Sequence, residues 1–163
     1  MIVRPGAESD REWIARTLLG RWGSTVIVTR SRPCDASRLD ALVAFSARKE
    51  RVGLLTYRLD ASGLEVVTID SLRPRTGIGT ALLARATDLA CGAGAPKLWL
   101  ITTNDNLNAI AFYQRRGLDV VAVDRGAVDR ARLLKPSIPD VGANGIELHD
   151  EIEFELKLSP VAR

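Results

Sequence analysis

The sequence predicts a single mixed α/β (α+β) domain over residues 1–163, an N-terminal antiparallel meander followed by a C-terminal β-α-β unit on one mixed sheet. Three short apolar runs separated by hairpin-length polar breaks predict the meander. The strand-helix-strand-helix rhythm from about Leu64 to Arg116 predicts a parallel pair joined by a right-handed crossover. The length allows one packed core and no second full domain.

Along the chain, Trp13, Ile14, Ala15, Leu18 and Leu19 recur near helical spacing, with Ser9 placed as a cap and Glu12 three residues on, so Glu8–Leu19 reads as a helix. Thr25–Arg30 is β-branched and reads as a strand, closed by the breaker stretch Ser31–Asp35. Ala41–Ala47, Val52–Leu59 and Leu64–Leu72 are the meander runs, although Arg38–Ala47 also fits a helix. Thr76–Ala90 places Ile78, Leu82, Ala86 and Leu89 three and four apart and stops at Gly92-Ala93-Gly94, which predicts a helix. Lys97–Thr103 reads as a buried strand and Asn106–Arg116 as a helix closed by Gly117. Leu118–Val123 is a further strand. Glu151–Leu158 alternates Ile152, Phe154, Leu156 and Leu158 with Glu151, Glu153, Glu155 and Lys157, the pattern of a half-exposed antiparallel strand. Between them, residues 125–150 form an insertion in which Ala127–Lys135 suits a helix ended by Pro136 and Ser137–Gly145 is turn-rich.

Composition narrows the chemistry. Two cysteines, Cys34 and Cys91, and one histidine, His149, are too few for a four-ligand zinc site and disfavour Ser-His-Asp or Cys-His catalysis. No metal is expected. A net charge of +3 with scattered arginines is weak for a nucleic-acid binder and sufficient for a small anionic partner. No long apolar run suggests a membrane span or signal peptide, so a cytoplasmic protein with reduced thiols is expected.

Leu72-Arg73-Pro74-Arg75-Thr76-Gly77-Ile78-Gly79-Thr80 lies where the third meander strand enters the long helix. Glycines remove Cβ atoms there, and the first-turn amides of a helix lack intrahelical acceptors, so the turn suits a phosphate or pyrophosphate flanked by Arg73 and Arg75. A dinucleotide fingerprint would also begin Gly77-Ile78-Gly79, with Asp105 as the ribose ligand, but its third glycine is Leu82.

The turn, with the segment Asn104–Leu118, resembles the GNAT superfamily of acyl-CoA-dependent N-acyltransferases. Its acyl-CoA motif is Gln/Arg-x-x-Gly-x-Gly/Ala, with Pro74 in the Gln/Arg slot here. Its later segment is Asn-x-x-Ala-x-x-Phe-Tyr-x-x-x-Gly-Phe, matched by Asn108, Ala109, Phe112, Tyr113 and Gly117, with Leu118 for the last Phe. The resemblance spans roughly Val52–Val123. It implies the GNAT fold, with splayed parallel strands that receive the pantetheine arm, and acetyl-CoA as co-substrate. The implied cofactor contacts are Ile69, Ser71, Leu72, Arg73, Arg75, Thr76, Gly77, Ile78, Gly79, Thr80, Asn104, Asn108 and Tyr113. Tyr113 is then the acid for the departing thiolate and Glu65 the general base, with Asp70 the other candidate. Since 65 and 70 differ by an odd number, the two are expected on opposite faces of the strand. Arg21-Trp22 and the insertion are expected to wall the acceptor pocket, with His149, Asp150 and Glu151 at its exit. The expected activity is acetyl transfer to a primary amine by direct attack in a ternary complex. The acceptor is a small molecule or peptide, without nucleic acid or membrane, and a homodimer is allowed. A non-catalytic acyl-CoA sensor is the alternative.

Overall fold

In the computed structural model, which describes residues 1–159, the chain forms a mixed α/β fold, mostly antiparallel sheet with parallel strands, divided into two compact units. One unit holds Met1–Val26, Asp35–Leu98 and residues 157–159; the other holds Ile27–Cys34 and Trp99–Leu156. Among the described residues, no helix is long and apolar enough to cross a membrane.

In the first unit the antiparallel strands run in the order β1 (Ile2–Pro5), β4 (Asp40–Phe45), β5 (Arg51–Asp60) and β6 (Gly63–Ser71). The meander is therefore as expected, and Arg38–Ala47 resolves as a strand rather than a helix. β1 was not expected; it pairs Ile2 with Phe45 and Pro5 with Leu42 at the sheet edge, where a proline is tolerated. The β5–β6 hairpin turns through Ala61-Ser62, Asp60 accepting from the Ser62 amide at 2.7 Å, which sets Arg58 opposite Glu65.

α1 (Arg11–Trp22) follows a single 3₁₀ turn, Glu8–Asp10, and ends at Gly23 in the left-handed region. Ser9 is not its cap. Asp10 occupies the cap position, and its carboxylate, fully enclosed, gathers the entry to the helix: it accepts from Arg4 at 2.7 Å, the Ala7 amide at 2.9 Å and Arg51 at 2.8 and 2.9 Å. Burial pushes this carboxyl up, but the bonds from Arg4, Ala7 and Arg51 outweigh it and hold it down to about 2.

α2 (Ile78–Gly92) packs on the other side of the sheet, against β4, β5 and β6. Its close approach depends on Gly53: a Cβ there would lie 2.3 Å from Ile78 Cγ2 and 3.1 Å from Leu82 Cδ1. The small residue that a tight helix-strand contact needs is thus supplied by the strand, and Leu82, fully buried, is no obstacle. Gly53→Ala should cost about 1–3 kcal/mol, read as a fall of roughly 3–10 °C in Tm. An unchanged melting curve would mean that the helix moves away freely.

In the second unit β7 (Lys97–Thr103), whose first two residues belong to the first unit, is followed by β9 (Glu151–Lys157) and then the edge strand β8 (Asp119–Asp124). α3 (Leu107–Gln114) and α4 (Ala127–Leu134) complete it, the latter inside the insertion as expected. The stretch expected to be a breaker is instead a strand: β3 (Arg32–Asp35) pairs with β2 (Val26–Thr29) through Arg30-Ser31, both in the left-handed region that a two-residue hairpin demands. Arg30 anchors this hairpin. Its amide donates to Glu151 at 3.1 Å, and its guanidinium bonds Glu153 and lies 4.4 Å over the Trp99 ring.

Candidate active site

The predicted residues separate into two sets, one in each unit. In the first unit, β6 passes into α2 through an exposed turn in which Arg75 (φ 60°) and Gly77 (φ 79°) are both left-handed. The Ser71 and Thr76 hydroxyls both donate to the Arg73 carbonyl, at 2.8 and 2.6 Å, which shapes the loop from within. Ala81 N–H to Gly77 O is a first-turn bond, so the amides of Ile78 and Gly79 precede the helical ladder at the positive end of a 15-residue helix. Ile78 buries its side chain against Gly53 and leaves only its backbone to the turn. Arg73 ion-pairs with Glu50 at 2.6 Å, both side chains half exposed. This is an anion receptor made of backbone, with cationic side chains beside it.

Upstream, β6 carries an irregularity that no residue pattern announced. Thr56 pairs with Thr68 but Tyr57 pairs with Val66, so Val67 is an extra residue, a β-bulge. The bulge shifts the alternation by one. Arg58 and Leu54 share a face of β5, and their partners are Glu65 and Asp70, so the two carboxylates lie on the same face, not on opposite faces. Thr68 lies between them, 2.7 Å from Thr56 across the strands. Counting along the β5 register, Glu65 and Asp70 stand roughly 13 Å apart. Both are only 7% exposed. Glu65 is held by Arg58, whose Nη2 and Nε reach the same oxygen, Oε2, at 2.7 and 2.9 Å. Asp70 is met by the last turn of α1: Trp22 Nε1 donates to Oδ2 at 2.8 Å and Arg21 Nε to Oδ1 at 3.4 Å. Burial pushes the Asp70 carboxyl up, and these two donors offset it only in part. Ile69 and Ser71 pair with Leu55 and Gly53 and so share the face that α2 covers.

In the second unit Tyr113 is buried, its ring edge-on to Phe112 at 5.4 Å and tilted against Phe154 at 5.5 Å. Asn106, not Asn108, is the cap of α3, accepting from the Ala109 amide. It also stands three residues before Ala109, the spacing the family motif gives its asparagine, so the motif count was the signal that would have found it. Asn108 is exposed on the first turn. Asn104 has its side chain engaged by the insertion: it donates to the Glu147 carbonyl at 2.8 Å and accepts from the His149 and Asp150 amides at 3.0 Å. Asp105 is buried and likewise bound, accepting from Thr103 Oγ1 at 2.5 Å and the Ala143 amide at 2.8 Å. Thr103-Asn104-Asp105 is therefore a clamp on the arm 142–150. Of the trio at the insertion's exit, Asp150 accepts from His149 and from the Gly126 amide, which hold its carboxyl down, while burial pushes Glu151 up. Among the described residues, no cluster of His, Cys, Asp and Glu suits a metal ion.

A β-bulged strand running through a left-handed Gly turn into a helix, followed by a strand and a second helix bearing Phe-Tyr, defines the class. The acetyltransferase (GNAT) family matches residues 13–118, and the chain belongs to that family. The uncharacterized protein YdhI of Bacillus subtilis (strain 168) is 40% identical over 94% of this chain and 96% of its own length. Among solved structures, the chain is similar to the IAA acetyltransferase from Bacillus cereus ATCC 14579 (TM-score 0.72, 22% identity, covering 96% of this chain and 99% of that one). It is also similar to a Bacillus subtilis acetyltransferase in complex with CoA (TM-score 0.71, 18% identity, covering 96% and 98%). These likenesses establish the fold, and the family supports acyl-CoA-dependent acetyl transfer.

Proposed function

We propose that the chain is an N-acetyltransferase that carries an acetyl group from acetyl-CoA to a primary amine by direct attack in a ternary complex. The observation that carries this is the turn at Arg75–Gly79, whose left-handed residues and helix-start amides suit the diphosphate of coenzyme A. The donor is held by Ile69 and Ser71 on β6, by Leu72, Arg73 and the run Arg75 to Thr80 around the turn, and by Asn104, Asn108 and Tyr113. The pantetheine amides add to the strand backbone as a peptide would. The amine nitrogen forms a bond to the acetyl carbon, the thioester C–S bond breaks, Tyr113 gives its proton to the departing sulfur, and the amine's surplus proton goes to Glu65 through Oε1, the oxygen Arg58 does not engage. The acceptor is a small-molecule or peptide amine, and the setting is the cytoplasm, where Cys34 and Cys91 stay reduced thiols.

Release of free thiol from acetyl-CoA, measured against a panel of amines, tests the reading. Turnover with at least one amine is expected, and calorimetric binding of acetyl-CoA without turnover on any amine would favour a sensor. Glu65→Gln should lower kcat by about two orders of magnitude; an unchanged kcat would show that Glu65 is not the base.

A further inference from the structure

We infer that Asp70 Oδ1 is a receptor for a primary alkyl ammonium, and that Arg21 occupies the ligand's place until it arrives. Among the described residues of the first unit, three carboxylates are buried, and they are not equally compensated. Asp10 receives two guanidinium groups and an amide, all within 2.9 Å apart from one longer Arg4 contact. Glu65 receives two guanidinium bonds at 2.7 and 2.9 Å. Asp70, as deeply buried as Glu65, has one firm bond, and it comes from the neutral indole of Trp22.

Among the described residues its only counter-charge is Arg21, through a single Nε contact at 3.4 Å that lies outside the usual range for an N–H···O bond, and from a side chain 52% exposed. A guanidinium that grips a carboxylate does so with two parallel bonds, and exposed single contacts contribute little. A carboxylate offers about four acceptor positions, of which two are used here. The site therefore carries a negative charge, enclosed on most sides and loosely neutralised.

The surroundings select the ligand. A compact ammonium brings three donors on one atom and reaches Oδ1 where a planar fork meets it poorly. α1 ends at Trp22, so the negative end of a 12-residue helix adds attraction for a cation. Trp22 is 43% exposed and offers an aromatic flank to the carbon chain behind the nitrogen. A neutral alcohol of the same length lacks the charge, and an anion is repelled.

The binding claim stands without turnover; only the reading of this cation as a group of the acetyl acceptor, remote from the amine that gives its proton to Glu65, rests on the previous subsection. The test uses the indole N–H resonances of the three tryptophans in a proton-nitrogen correlation spectrum, with Trp22→Phe identifying the signal of Trp22. Titration with n-butylammonium chloride to about 100 mM should move that signal saturably, whereas 1-butanol and sodium chloride should not. Arg21→Gln should saturate at a concentration about two- to five-fold lower, because the internal competitor is gone. Asp70→Asn should abolish the response while the Trp13 and Trp99 signals stay in place.

An unmoved Trp22 signal in the wild type, or an Arg21→Gln variant that binds no tighter, overturns the inference, and the latter result needs no Asp70 variant to fold. A saturable shift with no acetyl transfer to any amine upholds the receptor and removes the acetyltransferase reading. Turnover with no shift does the reverse.

Discussion

Tyr113→Phe should lower kcat by about two to three orders of magnitude while the Kd for acetyl-CoA changes by less than about threefold. The thiolate of coenzyme A is a poor leaving group unless a proton reaches it as the C–S bond breaks, and a phenol with a reference pKa near 10 is protonated at neutral pH. Phenylalanine keeps the ring between Phe112 and Phe154, so the core around Phe154 is preserved and only the hydroxyl is lost. Pre-steady-state thiol release separates the outcomes. A slow chemical step with unchanged binding supports proton transfer, whereas a Kd that rises as far as kcat falls would assign Tyr113 to cofactor binding.

Asp10→Asn should cost about 3–5 kcal/mol of stability at pH 7, a large share of what a domain of this size possesses. The variant leaves Arg4 and Arg51 facing an amide that cannot neutralise them, at the point where β1, β5 and the start of α1 converge. Asp10's folded-state pKa, about 2, is lower than its ordinary value of 3.8. Such a group contributes its full stabilisation above the unfolded value and loses it as pH falls through 3.8 towards 2. Urea unfolding of wild type and variant should therefore show a gap that is constant from pH 8 to about 5 and narrows by about 2 kcal/mol on going to pH 2. A gap that stays parallel throughout would show that the carboxylate's charge is not what holds the cluster.

Much of the fold could be read from periodicity because burial imposes it. α2 shows its apolar stripe at Ile78, Leu82 and Ala86, β7 its continuous apolar run, and β9 its alternation, and each lies within two residues of its expected limits. β1 and β3 escaped because each is four residues long and contains a proline, and such strands exist by virtue of their partners. The Arg58–Glu65 pair was within reach, since a two-residue turn at Ala61-Ser62 fixes that register by counting. The shared face of Glu65 and Asp70 was not, because a bulge is a backbone event and Val67 looks like any other apolar strand residue. The engagement of Asn104 by residues over forty positions away had no local signal either. Conversely, the glycine turn was visible because left-handed backbone narrows the choice of residue.

The supernumerary residue in β6 works as a half-period phase slip in a two-fold wave. Residues before Val67 keep one parity and those after it the other, so a strand that must dock Ile69 and Ser71 beneath a helix can still turn polar groups five positions apart to a common side. Removing Val67 alone, with every other side chain retained, would let Thr68 follow Val66 in an unbroken ladder, so that Glu65, Thr68 and Asp70 keep their common side and the glycine turn is undisturbed; only flattening the strand with Val67 retained would part the two acids. In aligning distant members of the family, a one-residue gap at Val67 would then be compatible with the same pair of acids on the same side.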